Sequence, residues 1–156
     1  MQIVPGDLDN PTVVALLDYH VRTAREATAP GSSHALDVAA LKAPEVSFWA
    51  AWSDTELLGV AALKRLAMDH GEIKSMHTTP AARRQGVGAL LLRHLIAEAR
   101  RCGMARLSLE TGSWGYFEPA RALYRRYGFR ECPPFADYRP DPNSTFMTLE
   151  LGPAPG

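Results

Sequence analysis

The chain has 156 residues, 46% of them hydrophobic and 22% charged, with 17 basic residues against 17 acidic ones. That length predicts one domain with a core able to stand without disulfide or metal staples, and the composition excludes wholesale disorder, collagen-like repeats and fibrous arrays. A formal charge of zero argues against a general nucleic-acid or membrane-surface binder, and no apolar run approaches the roughly 20 residues of a bilayer span.

The opening MQIVPGDLDNP lacks the basic and apolar segments of a signal peptide. Residues 2–4 read as a short first strand. Residues 12–27 place Val13, Leu16, Leu17, His20 and Ala24 at helical spacing, with Asn10 and Pro11 as cap and first helical residue. Pro30-Gly31-Ser32-Ser33 breaks the chain before a second short helix over 34–42. Strands over 47–52 and 57–66 flank the turn residues Ser53 and Asp54, and a further strand over 72–78 stops at Thr79-Pro80. A helix follows with an apolar stripe of Leu91, Leu92, Leu95, Ile96 and Ala99, closed by Gly103. Residues 106–111 form a strand, 119–127 a helix opened by Pro119, and 129–132 and 145–151 the last strands. Strand–helix–strand in the centre predicts a parallel crossover inside a mostly antiparallel sheet. The fold class is mixed α/β. Residues 1–151 are expected to form the domain and 152–156 a flexible tail.

Zero net charge hides a gradient. Residues 1–57 hold eight acids and three bases, whereas 83–106 hold six arginines and only Glu98 as an acid. The arginines at 93, 100, 101 and 106 suit a solvated helix face. Arg83 and Arg84 are different, because they precede Gln85-Gly86-Val87-Gly88-Ala89 and a helix start. The first turn of a helix has unbonded N–H groups and about half a positive charge. Glycines let an anion approach the backbone, and arginines add charge-assisted hydrogen bonds. The spacing fits neither a Walker loop nor the dinucleotide fingerprint. The physics points to a pyrophosphate or sulfate site and leaves the ligand open.

The segment Arg83-Arg84-Gln85-Gly86-Val87-Gly88-Ala89 resembles the acetyl-CoA motif Q/R-x-x-G-x-G/A of the GCN5-related N-acetyltransferase (GNAT) family. Glu72-Ile73-Lys74-Ser75-Met76-His77-Thr78 looks like that family's fourth strand, and Ala120-Arg121-Ala122-Leu123-Tyr124 through Gly128-Phe129 looks like its A-x-x-L-Y-x-x-x-G-F segment. The resemblance implies a GNAT fold, a mostly antiparallel sheet with a central splayed parallel pair flanked by helices. It implies transfer of an acetyl group from acetyl-CoA to a primary amine of a small molecule or peptide, by direct attack in a ternary complex. Backbone groups of Met76, His77 and Thr78 are then expected to pair with the cofactor's pantetheine arm. Arg83, Arg84, Gln85, Gly86, Val87, Gly88 and Ala89 are expected to hold its pyrophosphate. A longer acyl-CoA donor and a noncatalytic CoA-sensing module stand as alternatives. A homodimer through the final strands is implied by analogy alone.

Tyr124 resembles the family tyrosine near the CoA sulfur, and a protonated phenol can serve a departing thiolate. The competing reading is a core tyrosine packed on Leu123 and Phe129; Tyr127 is expected to be structural. Glu72 is the first candidate for the base that takes the amine's proton, against a strand-end carboxylate with an ordinary ion pair. Glu110 is the runner-up and His77 comes third, and bulk water can also take the proton. His20, His34, His70 and His94 lack metal-ligand spacing and read as surface or half-buried. Cys102 and Cys132 are too few for a disulfide framework or zinc site, so a cytoplasmic, metal-free enzyme is expected. Cys102 has no histidine partner in sequence, which disfavours an acetyl-cysteine route. Asp137, Tyr138, Arg139 and Asp141, in a proline-rich loop, suit acceptor recognition or a rigid turn. Trp114, Tyr116 and Phe117 suit a tunnel wall or plain core packing.

Overall fold

The computed structural model describes residues 1–26 and 38–152. In chain order the elements are β1 (Gln2–Pro5), α1 (Pro11–Glu26), α2 (Val38–Leu41), β2 (Val46–Ser53), β3 (Glu56–Ala67) and β4 (His70–Thr78). Then come α3 (Val87–Arg101), β5 (Arg106–Gly112), α4 (Glu118–Arg126), β6 (Arg130–Glu131) and β7 (Ser144–Glu150). One seven-stranded sheet runs in the order β1-β2-β3-β4-β5-β7-β6. Every neighbouring pair is antiparallel except β4 and β5. The parallel crossover expected in the centre is there, carried by α3.

Local chemistry explains the boundaries. Asn10 caps α1 by accepting the Thr12 N–H on Oδ1 at 2.9 Å, and Pro11, which has no N–H to leave unpaired, opens the helix. β6 has two residues where four were expected. Phe129 turns into the core instead, and Pro133 and Pro134 cannot donate to a ladder. Of the second helix expected over 34–42, residues 34–37 lie outside the described ones, and only Val38–Leu41 is helical among the rest. The expected tail over 152–156 likewise falls mostly outside, at 153–156.

Two apolar clusters fix the layers. On one face of the sheet, Leu91, Leu92, Leu95 and Ala99 of α3 pack with Tyr124 of α4 against Ile73, Leu107, Leu109 and Met147. On the other, Val13, Leu16 and Leu17 of α1 meet Phe48, Ala50, Val60 and Ala62. Fully burying a leucine contributes roughly 1.5–3 kcal/mol, so the five-residue stripe of α3 suffices to hold that helix over the crossover. Among the described residues, no helix is long and apolar enough to cross a membrane.

Candidate functional site

The site begins where the sheet comes apart. β4 and β5 pair only from His70 opposite Arg106 to Ile73 opposite Leu109, although both strands continue. The cause lies on the other edge of β4. Val60 faces His77 and Ala62 faces Lys74, so two residues of β4, Ser75 and Met76, share the place opposite Ala61. This is a β-bulge, with Ser75 in the left-handed region at φ 53°. A bulge bends its strand and increases its twist. The open half of β4 is thereby freed from β5. No glycine marks the bulge, and the sequence reading passed over it.

A cavity of about 760 Å³ fills the gap. The open halves of β4 (73–78) and β5 (109–112) form two of its walls, and the loop before α3 forms a third. The α4 face closes it with Pro119, Ala120, Leu123 and Tyr124, and Tyr116 and Phe117 stand beside them. Met76, His77, Thr78, Arg83, Arg84, Gly86, Val87, Gly88 and Ala89 all line it; Gln85 does not, and its side chain donates to the Ala81 carbonyl.

The loop is shaped by backbone conformation. Arg84 and Gly86 have φ of 66° and 80°, bracketing Gln85, and Gly86 caps α3 without any side-chain hydrogen bond. The first-turn N–H groups of α3 therefore face the cavity with the helix's partial positive charge behind them. Gly88 sits in close approach, since a Cβ there would lie 3.2 Å from the flexible end of Leu123 at Cδ2 and 3.9 Å from Thr78 Oγ1. The spacing that reads as an anion cradle in sequence is thus also the place where α3 and α4 touch.

Tyr124 is buried in the cavity wall, its ring 5.7 Å from Phe129. Burial first, and the charge of Glu110 second, push its phenol above the ordinary value of 10. Tyr127, one residue beyond α4, packs at the edge of the core and does not line the cavity. Arg121, one turn before Tyr124 and buried, donates to the carbonyls of Gly112 and Trp114 and pairs with Glu118 at 2.8 Å. It ties α4 to the end of β5. The aromatic residues between them divide: Phe117 and Tyr116 line the cavity and Trp114 does not, although Tyr116 and Trp114 are both about half exposed.

The carboxylates occupy two positions. Glu110 is in the cavity wall. Glu72 is 2% exposed and lies beside the wall instead of in it. Its Oε2 accepts the Tyr138 hydroxyl at 2.6 Å and a Lys74 N–H at 3.3 Å, and Lys74 also donates to the Tyr138 oxygen at 2.8 Å. Tyr138 comes from the proline-rich loop, whose Phe135 packs edge-on against it at 5.1 Å. Burial, followed by the charge of Glu72, pushes the Tyr138 phenol well above its ordinary range.

Two histidines that the sequence keeps 57 residues apart meet at the wall, His20 of α1 and His77 of β4, Nδ1 to Nδ1 at 3.0 Å. Burial holds both below the ordinary 6.5, His20 at about 4 and His77 at about 3, the latter also through the charges of His20 and Arg83. The folded protein keeps both rings neutral over a range where the unfolded chain protonates them. The unfolded state therefore binds more protons, and stability falls as pH drops from 6.5 toward 4. Melting temperatures across that range should fall for the wild type and flatten in His20→Leu; identical slopes would show that the pair does not titrate this way.

His34 lies outside the described residues. His70 and His94 are away from the cavity, on Ser108 Oγ at 2.7 Å and against the Trp49 ring at 4.9 Å respectively. Neither cysteine lines the cavity. Among the described residues, no group of three or more His, Cys, Asp or Glu is placed to hold a metal.

The Acetyltransferase (GNAT) family model matches residues 13–129. Uncharacterized N-acetyltransferase YsnE of Bacillus subtilis (strain 168) is 50% identical over 151 residues, 97% of this chain and 100% of that protein. Uncharacterized N-acetyltransferase YedL of Escherichia coli (strain K12) is 48% identical over 149 residues, 96% of this chain and 94% of that one. The fold is shared with a GNAT family acetyltransferase from Elizabethkingia anophelis solved with acetyl-CoA bound, at a TM-score of 0.69 and 20% identity over 96% of this chain and 97% of that one.

Proposed function

The chain belongs to the acetyltransferase (GNAT) family and is an acyltransferase, and we propose that it moves an acetyl group from acetyl-CoA to a primary amine of a small molecule or peptide, by direct attack within a ternary complex. The observation that carries this reading is the cavity where β4 and β5 part, with a helix N-terminus and two arginines in one wall and a buried tyrosine in another.

In this reading the N–H groups from Arg84 to Ala89, with the guanidinium groups of Arg83 and Arg84, hold the pyrophosphate. The unpaired edge of β4 at Met76, His77 and Thr78 offers its backbone to the amide groups of the pantetheine arm. The residues fit such a ligand, because the cradle is open at Gly86, where a Cβ would meet no atom within 4 Å. Acetyl-CoA supplies the activated acyl group. A route through an acetylated cysteine is disfavoured, since Cys102 and Cys132 stand outside the wall.

The amine must lose a proton and the departing sulfur must be stabilised. Tyr124 serves the sulfur. A thiol ionises near 8.5 and the phenol above 10, so outright proton transfer is uphill and Tyr124 acts by donating a hydrogen bond as charge forms. Glu72 is the proposed final acceptor of the amine's proton, with Glu110 in the wall as its rival. The histidine pair, Nδ1 to Nδ1 at 3.0 Å and held neutral by burial, forms a neutral polar wall.

The test is thiol release from acetyl-CoA with a panel of primary amines, read for wild type and Tyr124→Phe. Wild type should show amine-dependent release. Tyr124→Phe keeps the ring but loses a hydrogen bond to developing charge of roughly 1.5–3 kcal/mol, which is about 10–100-fold in kcat. Its acetyl-CoA affinity should hardly change. Absence of amine-dependent release by a wild type that binds acetyl-CoA would overturn the transfer reading, and equal turnover by both would remove Tyr124 from it.

A further inference from the structure

Glu72 as proton acceptor poses a problem of reach, because its carboxylate is buried beside the cavity and not in its wall. The side chains between them close the distance. Lys74 lines the cavity and has a side chain only 10% exposed. From its Nζ the short hydrogen bonds run inward to the Tyr138 oxygen at 2.8 Å and from the Tyr138 hydroxyl to Glu72 Oε2 at 2.6 Å, beside a longer direct contact from Nζ to Oε2 at 3.3 Å. We infer that Lys74, Tyr138 and Glu72 form a proton relay that carries the acceptor amine's proton from the cavity to the buried carboxylate. This rests on the transferase reading above and supplies the route that reading lacks.

The step balances without any further reactant. The Tyr138 O–H proton moves to Glu72 Oε2 while a Lys74 ammonium proton moves to the Tyr138 oxygen. Lys74 is left as a neutral amine and Glu72 as a neutral acid. The acceptor's ammonium then gives a proton to Lys74 Nζ, which restores the lysine and leaves the acceptor nitrogen with a free lone pair. Tyr138 ends as it began and never ionises, in keeping with the burial and Glu72 charge that oppose a phenolate there. The exchange discharges both members of the ion pair and creates no new buried charge.

The geometry is held from several sides. Phe135 and Phe146 stand 5.1 and 5.4 Å from the Tyr138 ring, and the Lys74 ammonium lies 5.5 Å from its centre. The other titratable groups facing the relay are Lys64, opposite Glu72 on β3, His70 on β4, and Glu110 on β5, whose charge reaches Tyr138. Lys64 and Glu110 carry opposite charges. The packing of Phe135, Tyr138 and Phe146 brings a residue of the proline-rich loop, 64 positions from Lys74, to the site.

Tyr138→Phe removes the short hydroxyl path, leaving only the 3.3 Å contact between Lys74 Nζ and Glu72 Oε2, and keeps the aromatic packing. With an alkylamine at pH 7, kcat/KM should fall about 100-fold, within the usual range for acid–base groups. The deficit should shrink as pH rises toward the amine's own value near 10. It should be small at every pH with a weakly basic aromatic amine, which is already neutral. A purely structural tyrosine has no reason to distinguish the two amines. An equal loss with both, or no loss with either, would overturn the relay while leaving the transferase reading standing. A wild type without amine-dependent thiol release would overturn both. Should Tyr138→Phe melt below the assay temperature, Lys74→Met carries the same expectation and the same contrary outcomes.

Discussion

Gly88→Asp and Gly86→Asp will each abolish coenzyme A binding while the protein remains folded. The two effects separate because an aspartate in the first turn of a helix is favourable for the helix itself, worth a few tenths to about 1 kcal/mol against the dipole. The same charge is ruinous for a pyrophosphate. Two like charges at about 4 Å repel by about 4 kcal/mol at the effective dielectric of a partly exposed site, which is roughly a thousandfold in affinity. Backbone strain differs between the positions. Gly86 has φ 80°, so a side chain there costs conformational energy even though no atom opposes it; Gly88 has no such φ, and only the flexible end of Leu123, at 3.2 Å, must move. Gly88→Ala is therefore the control, with a small loss of affinity and a near-native melting temperature. Calorimetric affinity for coenzyme A unchanged in either aspartate variant would show that the anion site lies elsewhere.

Glu72→Gln should lower kcat/KM at neutral pH by about 10²–10⁴-fold with an alkylamine. Glutamine fills the same volume, and its carbonyl oxygen can still accept the Tyr138 hydroxyl that now bonds Oε2 at 2.6 Å. The ion pair with Lys74 at 3.3 Å is also lost, so a melting temperature measured alongside separates lost stability from lost proton acceptance. Acetyl-CoA affinity should hold, because Glu72 does not line the cavity. Glu110→Gln is the decisive companion. If it is crippled while Glu72→Gln turns over normally, the base is the carboxylate in the wall, whose charge already reaches Tyr124.

Much of this was legible before the structure, and the legible parts share a property. The stripe Leu91, Leu92, Leu95, Ile96 and Ala99 recurs with the helical period and is buried in full. The loop before α3 announces itself by two glycines and two arginines within six residues, and its backbone does adopt left-handed conformations at Arg84 and Gly86. Ala120 and Tyr124, one turn apart, both line the cavity. Each of these is set by neighbours in the chain. His20 shows the opposite case: its helix is legible in the sequence, but its contact with His77, itself a candidate base there, is not.

The sequence by itself determined the elements, their order and the segment fit to bind an anion, because periodicity, capping and turn chemistry act over a few residues. Tertiary structure alone decided how far β4 and β5 stay together. The bulge at Ser75 arises from the mismatch of two strands in a ladder, and no residue of β4 carries it as a pattern. Tertiary structure also chose the surroundings of Glu72. Its partner Tyr138 lies 66 residues away in a loop with no period of its own. Whether that carboxylate meets solvent, a surface lysine or a buried phenol depends on where the loop folds back. Contacts of that separation come from the summed packing of Phe135, Tyr138 and Phe146 on the sheet, an energy spread over the whole face and written in no short stretch of chain.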